Sequence, residues 1–379
     1  MIGKKSIMFI GLSGLVALLS LIGFRSLGGG SEQKPQPQDC SSHRPLHSNL
    51  SSATSSPLRK LAEYEALCRT GVADRLMTFA AMPRTQEEAL QFATSMATEL
   101  KEFSGHEITP LVVFEPSSDS PTIIKDIQKG TYDPVLASYF AALKRAGVTD
   151  SMMGTWVLFP EANTPAWRIT NPKAFSDNVT KVASLQKKVF PSSRVSLLLD
   201  GLTYPDNDTD WSDGEIKSLS PYVRDIPTGL VDEMGLQGFP RLPQATEPKD
   251  ESKLGIETFL PTTLLREAAD TLRVSKVWMN TGTFRRMYTD VPSAQVTLSS
   301  GQREAILSAI FDQAKALKET SSYDVSINLF AADKSETSEH VDWSYLKEQS
   351  NDAPVLSRFI TKLHDTSVEF SLYDQTNED

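Results

Sequence analysis

The feature that most narrows the fold of this chain is a rhythm. From Arg75 onward, short apolar runs alternate with longer stretches whose apolar residues recur at helical spacing. Arg75–Phe79, Ile108–Phe114, residues 155–159, Val195–Leu199, Leu230–Phe239, Val277–Met279, Val325–Phe330 and Val368–Leu372 read as strands. Between them, Ala89, Ala93, Met96, Leu100 and Phe103 mark one helical face, and Val135, Leu136, Tyr139, Phe140 and Leu143 another. Asn171-Pro172 reads as a helix start, because Asn accepts from the first free N–H groups and Pro suits the first turn. Several strands are apolar on both faces, as parallel strands covered on both sides must be. Strand–helix alternation over this length predicts a closed (β/α)₈ barrel of the TIM type. The rival is an open doubly wound sheet. Its dinucleotide-binding form is disfavoured, because no Gly-x-Gly-x-x-Gly follows a strand.

The first part of the chain has a different character. Residues 6–24 carry no charge, with Lys4 and Lys5 before them and Arg25 after. That run reads as a signal peptide or an uncleaved signal anchor over residues 1–25. The lysines on its N-terminal side favour an anchor with the rest of the chain outside the cytoplasm. Residues 26–56 are rich in Gly, Ser, Pro and Gln and read as a disordered linker, which leaves 57–379 for the barrel. The expected location is therefore the extracellular side of a membrane, or secretion. Cys40 and Cys68 could join there, and their pairing stays open. Asn49, Asn178 and Asn207 begin glycosylation sequons.

A net charge of −10 with no long Lys/Arg cluster argues against nucleic acid as a partner. No Cys/His set has metal spacing, so neither a metal nor another cofactor is expected. No Gly-x-Ser-x-Gly elbow supports serine hydrolase chemistry. A neutral polysaccharide remains compatible, and the barrel is expected as a monomer.

In such a barrel the chemistry gathers where the strands end. Residues that follow the apolar runs include Glu115, Glu161, Asp200, Asn280 and Asp333. Trp156 and Trp167 bracket Glu161, and Tyr204, Trp211, Phe239, Trp278 and Trp343 lie in or near the same loops. An acid beside flat apolar rings suits a glycosidase: the acid protonates a glycosidic oxygen while aromatic faces stack on sugar. The plain alternative for Glu161 is a loop glutamate in a surface ion pair. Glu115, before Pro116, and Asp232, at a strand start, read as structural carboxylates.

Several of these residues occur in an order that resembles a known family. Lys129-Gly-Thr-Tyr-Asp133 is followed by Leu143-Lys144 and Gly147, then by Trp156-Val-Leu-Phe-Pro-Glu161-Ala-Asn163 and Trp167. Further on come Val231–Phe239, Val277–Gly282 and Phe330 with Asp342-Trp343. Together they look like glycoside hydrolase family 26, the β-mannanase group, over about Arg75 to Trp343. The resemblance implies Glu161 as general acid/base and Asn163 as a neighbour that contacts sugar or orients the acid. It also implies a nucleophilic glutamate where this chain has Asn280, and a neutral amide cannot form a glycosyl ester. Pro160 stands where the family has a histidine.

Two function classes follow. One is an exported glycoside hydrolase acting on a β-linked polysaccharide such as mannan or β-glucan. It would use Glu161 with Asp200, or else Asp333, as second carboxylate, and Asn163, Trp156, Trp167, Asn280, Tyr204, Phe239 and Trp278 to hold sugar. The other is a pseudo-glycosidase that binds glycan without cutting it. A protein-binding surface scaffold without a sugar site is a third reading. The family's first strand is hard to find before Arg75, and Val368–Leu372 is expected to take its place in the ring.

Overall fold

The computed structural model describes residues 75–105, 109–116, 121–163, 171–201, 218–239, 260–283, 286–288, 295–330, 333–334, 341–342, 353–366 and 368–373. The N-terminal apolar run, the linker, both cysteines, Trp167, Tyr204, Trp211 and Trp343 lie outside the described residues. No described helix is long and apolar enough to cross a membrane.

The core is a closed ring of eight parallel strands. In ring order these are β1 (Arg75–Met82), β2 (Thr109–Pro116), β3 (Thr155–Leu158), β4 (Arg194–Asp200), β5 (Glu233–Gln237), β6 (Lys276–Thr281), β9 (Asp324–Phe330) and β12 (Glu369–Tyr373). The expected barrel is the observed one. The C-terminal strand is what closes it: β12 pairs with β9 on one side and with β1 on the other. Four short strands, β7 (Arg286–Tyr288), β8 (Gln295–Thr297), β10 (Asp333–Lys334) and β11 (Val341–Asp342), form a separate antiparallel sheet. This sheet grows from the segments that follow β6 and β9, and the sequence pattern did not announce it. Nor did it announce the short helices Pro121–Lys129, Asp150–Met153 and Ser220–Val223.

Helices cover the outside of the ring. The helix Pro172–Val189 starts as its sequence predicts: the Asn171 side chain accepts from the N–H groups of Lys173 at 2.9 Å and Ala174 at 3.4 Å. Asn178 in that helix is completely buried, so its sequon cannot serve as a glycan acceptor in the folded chain. Asp232 is structural as expected. Its carboxylate takes the Lys187 ammonium and the Val195 N–H, each at 2.8 Å.

Trp156 belongs to this outer layer. Its ring packs edge-on against Phe114, Tyr139 and Phe140, with centroids 5.2–6.2 Å away, and it is fully buried. Its indole N–H donates to the Met153 carbonyl at 2.9 Å. The expectation that Trp156 stacks on sugar is therefore corrected. It lies on an apolar strand whose outward face is covered by the helix Asp133–Arg145, and it welds strand to helix.

The barrel interior is layered. At the N-terminal floor, Arg75 on β1 reaches Glu233 on β5, opposite strands in the ring. Two N–H groups meet two carboxylate oxygens at 2.8 and 3.1 Å. Thr155 Oγ1 donates to the same carboxylate at 3.2 Å. Above lies an apolar layer of Met77, Leu111, Val113, Val157, Leu198 and Trp278. Trp278, also expected to face sugar, is buried here instead. Its indole N–H donates to Ser196 Oγ at 2.8 Å, and it occupies the space over Gly235. A Cβ on Gly235 would lie 2.4 Å from the indole, so only glycine lets the ring cross the barrel.

Candidate functional site: the C-terminal mouth of the barrel

The third interior layer is polar and opens at the C-terminal end. Asp200, Gln237, Asn280 and Asn328 are register partners in succession across β4, β5, β6 and β9. They share the interior parity of Glu233, Gly235 and Trp278 below them, because side chains alternate along a strand. Asn328 Nδ2 donates to Asn280 Oδ1 at 2.5 Å, and Asn280 Nδ2 donates to Gln237 Oε1 at 2.7 Å. Asn328 Nδ2 also lies 3.7 Å from Met77 Sδ. Three amides thus form one row. Asn280 sits in its middle, engaged on both sides.

The opposite part of the mouth carries carboxylates. After β3 the chain makes a tight reversal in which Phe159 has φ of 50° and Glu161 φ of 53°. Both are in the left-handed region, which costs roughly 1–3 kcal/mol per non-glycine residue and persists where the surroundings enforce it. The surroundings are visible. Phe159 N–H donates to the Phe114 carbonyl at 3.3 Å, and Glu161 N–H to the Leu198 carbonyl at 2.7 Å. Asn163 then clamps the peptide of Asp200: Nδ2 donates to its carbonyl and Oδ1 accepts its N–H, each at 2.8 Å. Asn163 therefore braces the end of β4 against the Glu161 turn. This ties Glu161 and Asp200 to adjacent strand ends. Glu161 is half-buried, whereas Asp200 is completely buried, one layer deeper. Glu115, half-buried at the end of β2, shares the interior parity of Leu111 and Val113 and joins this acidic side.

Phe239 and Phe330 stand one pleat above Gln237 and Asn328. Their rings meet edge to face at 5.5 Å, and both are half-buried. Phe239 is thus where an aromatic wall was expected, with Phe330 as an unforeseen partner. Asp333 is not on a barrel strand. It lies in β10 of the small sheet, paired in register with Asp342, outside the barrel ring. Among the described residues, no cluster of His, Cys, Asp and Glu could hold a metal ion.

Gln237 and Asn328 escaped the sequence reading, which looked for polar residues after each apolar run. Both lie inside runs. The available signal was alternation: Ser326 and Asn328 among Val325, Ile327 and Leu329, and Glu233, Gly235 and Gln237 along β5.

The mouth and ring define an α/β barrel of the architecture that many glycosidases share. The sequence matches no protein-family model and no characterised protein. Solved structures are similar at the level of the fold. The family 1 β-glucosidase of Thermotoga maritima superposes with a TM-score of 0.51 and 12% identity, over 82% of this chain and 86% of that one. Fungal β-1,4-galactanases score 0.49 with 14% identity, covering 79% of this chain and 90% of theirs. The endo-β-1,4-mannanase of Thermotoga petrophila scores 0.47 with 10% identity, covering 83% and 75%. Glycoside hydrolases are thus among the structural neighbours. The likenesses do not single out the β-mannanase group, and at such identities they assign no residue a role.

Proposed function

We propose that this chain acts on a β-linked glycan held at the C-terminal mouth of the barrel, with Glu161 as general acid/base. The observation that carries this reading is the Glu161 turn. A half-exposed carboxylate is held in left-handed backbone by hydrogen bonds to two strand ends, and such enforced strain concentrates at functional sites. Asp200 is the second carboxylate, fixed beside it through Asn163. In the reaction, Glu161 gives its proton to the glycosidic oxygen as the bond from the anomeric carbon breaks. Water attacks that carbon, and its proton passes to the carboxylate of Asp200. The uncharged run at residues 6–24 behind Lys4 and Lys5 supports placing this activity outside the cytoplasm.

The test is reducing-sugar release from mannan, β-1,4-galactan and mixed-linkage β-glucan. Glu161→Gln should lower turnover about 10²- to 10⁴-fold, the usual span for a lost acid/base. Unchanged turnover in that variant would remove Glu161 from the mechanism. A second reading, glycan binding without cleavage, is favoured by the amide row and by the complete burial of Asp200. It predicts that the wild-type chain binds these glycans and releases no reducing ends.

A further inference from the structure

The amide row has a direction. Asn328 donates to Asn280, and Asn280 donates to Gln237 through Oε1. The two hydrogens on Gln237 Nε2 are left at the end of the chain. Among the described residues, nothing accepts them. Gln237 is 6% exposed, yet Nε2 is not among the nitrogens sealed from solvent without a partner. An amide donor that the row leaves unused and that is not sealed from solvent can take an acceptor from an incoming molecule in place of water, without breaking a hydrogen bond of the fold. Directly above, Phe239 and Phe330 present a half-buried aromatic pair. Asp200 is the register neighbour of Gln237 on β4, and Glu161 and Glu115 lie further round the mouth, after β3 and on β2.

We infer that Gln237 is a ligand-binding residue. Its Nε2 donates to a hydroxyl or ring oxygen of an uncharged sugar unit whose C–H face lies on Phe239 and Phe330, and Asn280 and Asn328 are its positioning residues. This rests on the glycan reading above and names the class of glycan. The row of amides and the aromatic pair are uncharged and offer a uronate no counter-charge, so neutral β-glycans are selected over uronic acid polymers. It also changes what Asn280 means. The residue is the middle link of a relay that fixes the Gln237 amide, and the site works through that amide.

The experiment is titration calorimetry of the full chain with mannohexaose, cellohexaose and β-1,4-galactotetraose, and with a β-1,4-mannuronate hexamer as the charged counterpart of the first. The wild type should bind one of the neutral oligomers and bind the mannuronate at least about tenfold more weakly. Gln237→Met removes the donor and should weaken binding about 10- to 100-fold. Gln237→Glu keeps an oxygen for Asn280 and replaces the donor by a carboxylate beside Asp200, which raises its pKa. Its binding should therefore recover as pH falls from 7 towards 5 and the new acid becomes a donor, while the wild type stays flat. A purely structural role would give no such recovery. If the wild type binds a neutral oligomer and both variants bind it equally, the inference is overturned and the glycan reading stands. If the wild type binds none of them, the glycan reading falls and takes the inference with it.

Discussion

The two ends of the barrel interior solve the same problem in opposite ways. Each must place polar side chains inside a ring of apolar strands. At the floor, Arg75 and Glu233 form a two-pronged ion pair across the ring, with Thr155 on the same carboxylate, and both charged residues are almost fully buried. At the mouth, Gln237, Asn280 and Asn328 are neutral, linked head to tail, with one amide nitrogen left over. The floor is closed. The mouth is strained at Phe159 and Glu161 and carries carboxylates that face amides. The lesson is a division of labour: polar groups at the base hold the ring, and those at the opening, on the proposed function, serve an incoming molecule.

That comparison can be broken most forcefully at the floor. Glu233→Gln removes the carboxylate charge that Arg75 shares with Arg194 at the floor and should cost about 3–5 kcal/mol in denaturant unfolding. The double substitution Arg75→Met with Glu233→Leu should regain most of that loss, because two buried charges vanish together. Glycan binding at the mouth should be unchanged in whatever fraction stays folded. A large binding defect there would show that the ends are not separate.

A smaller effect should separate stability from activity at the mouth. Asn163→Ala removes the two hydrogen bonds that clamp the Asp200 peptide. Stability should fall by only about 1–2 kcal/mol. Turnover or glycan binding should fall by more than this predicts, because the Glu161 turn loses its brace. Equal losses in both measurements would reduce Asn163 to a structural residue.

The smallest effect lies outside the barrel interior, where Tyr323 meets the helix Thr262–Leu272, and calibrates both ends. Burial, and then a hydrogen bond from its hydroxyl to Asp270, push the Tyr323 pKa from 10.0 up to about 12. The folded state therefore keeps a proton that the unfolded chain loses. Tyr323 stabilises fully below pH 10, and that contribution is lost as pH rises from 10 to about 12. Burial also raises the pKa values of Tyr132 and Tyr139, which steepens the alkaline decline. Tyr323→Phe should flatten part of the slope in an unfolding series from pH 9 to 12, with no change in binding at neutral pH.

Much of this was legible in the chain. The eight runs announced their strands because a strand buried on both faces must be apolar on both. Val368–Leu372 fell into the ring because no other run could close it. Glu161 and Asp200 were read as polar residues where apolar runs stop, and Asn163 entered through the family resemblance. The aromatic residues were harder. Trp156 and Trp278 stand beside mouth residues in sequence, but side chains alternate along a strand. One points out to the helices, and the other points into the barrel a layer below.

By itself, the sequence determined the number of barrel strands, their order along the chain and the general end of the barrel where acids gather, because those follow from local hydrophobic period. Tertiary structure alone decided which polar side chains meet. Ring closure and stagger between strands bring Arg75 to Glu233 and align Gln237, Asn280 and Asn328 in one row, and no spacing along the chain encodes that register.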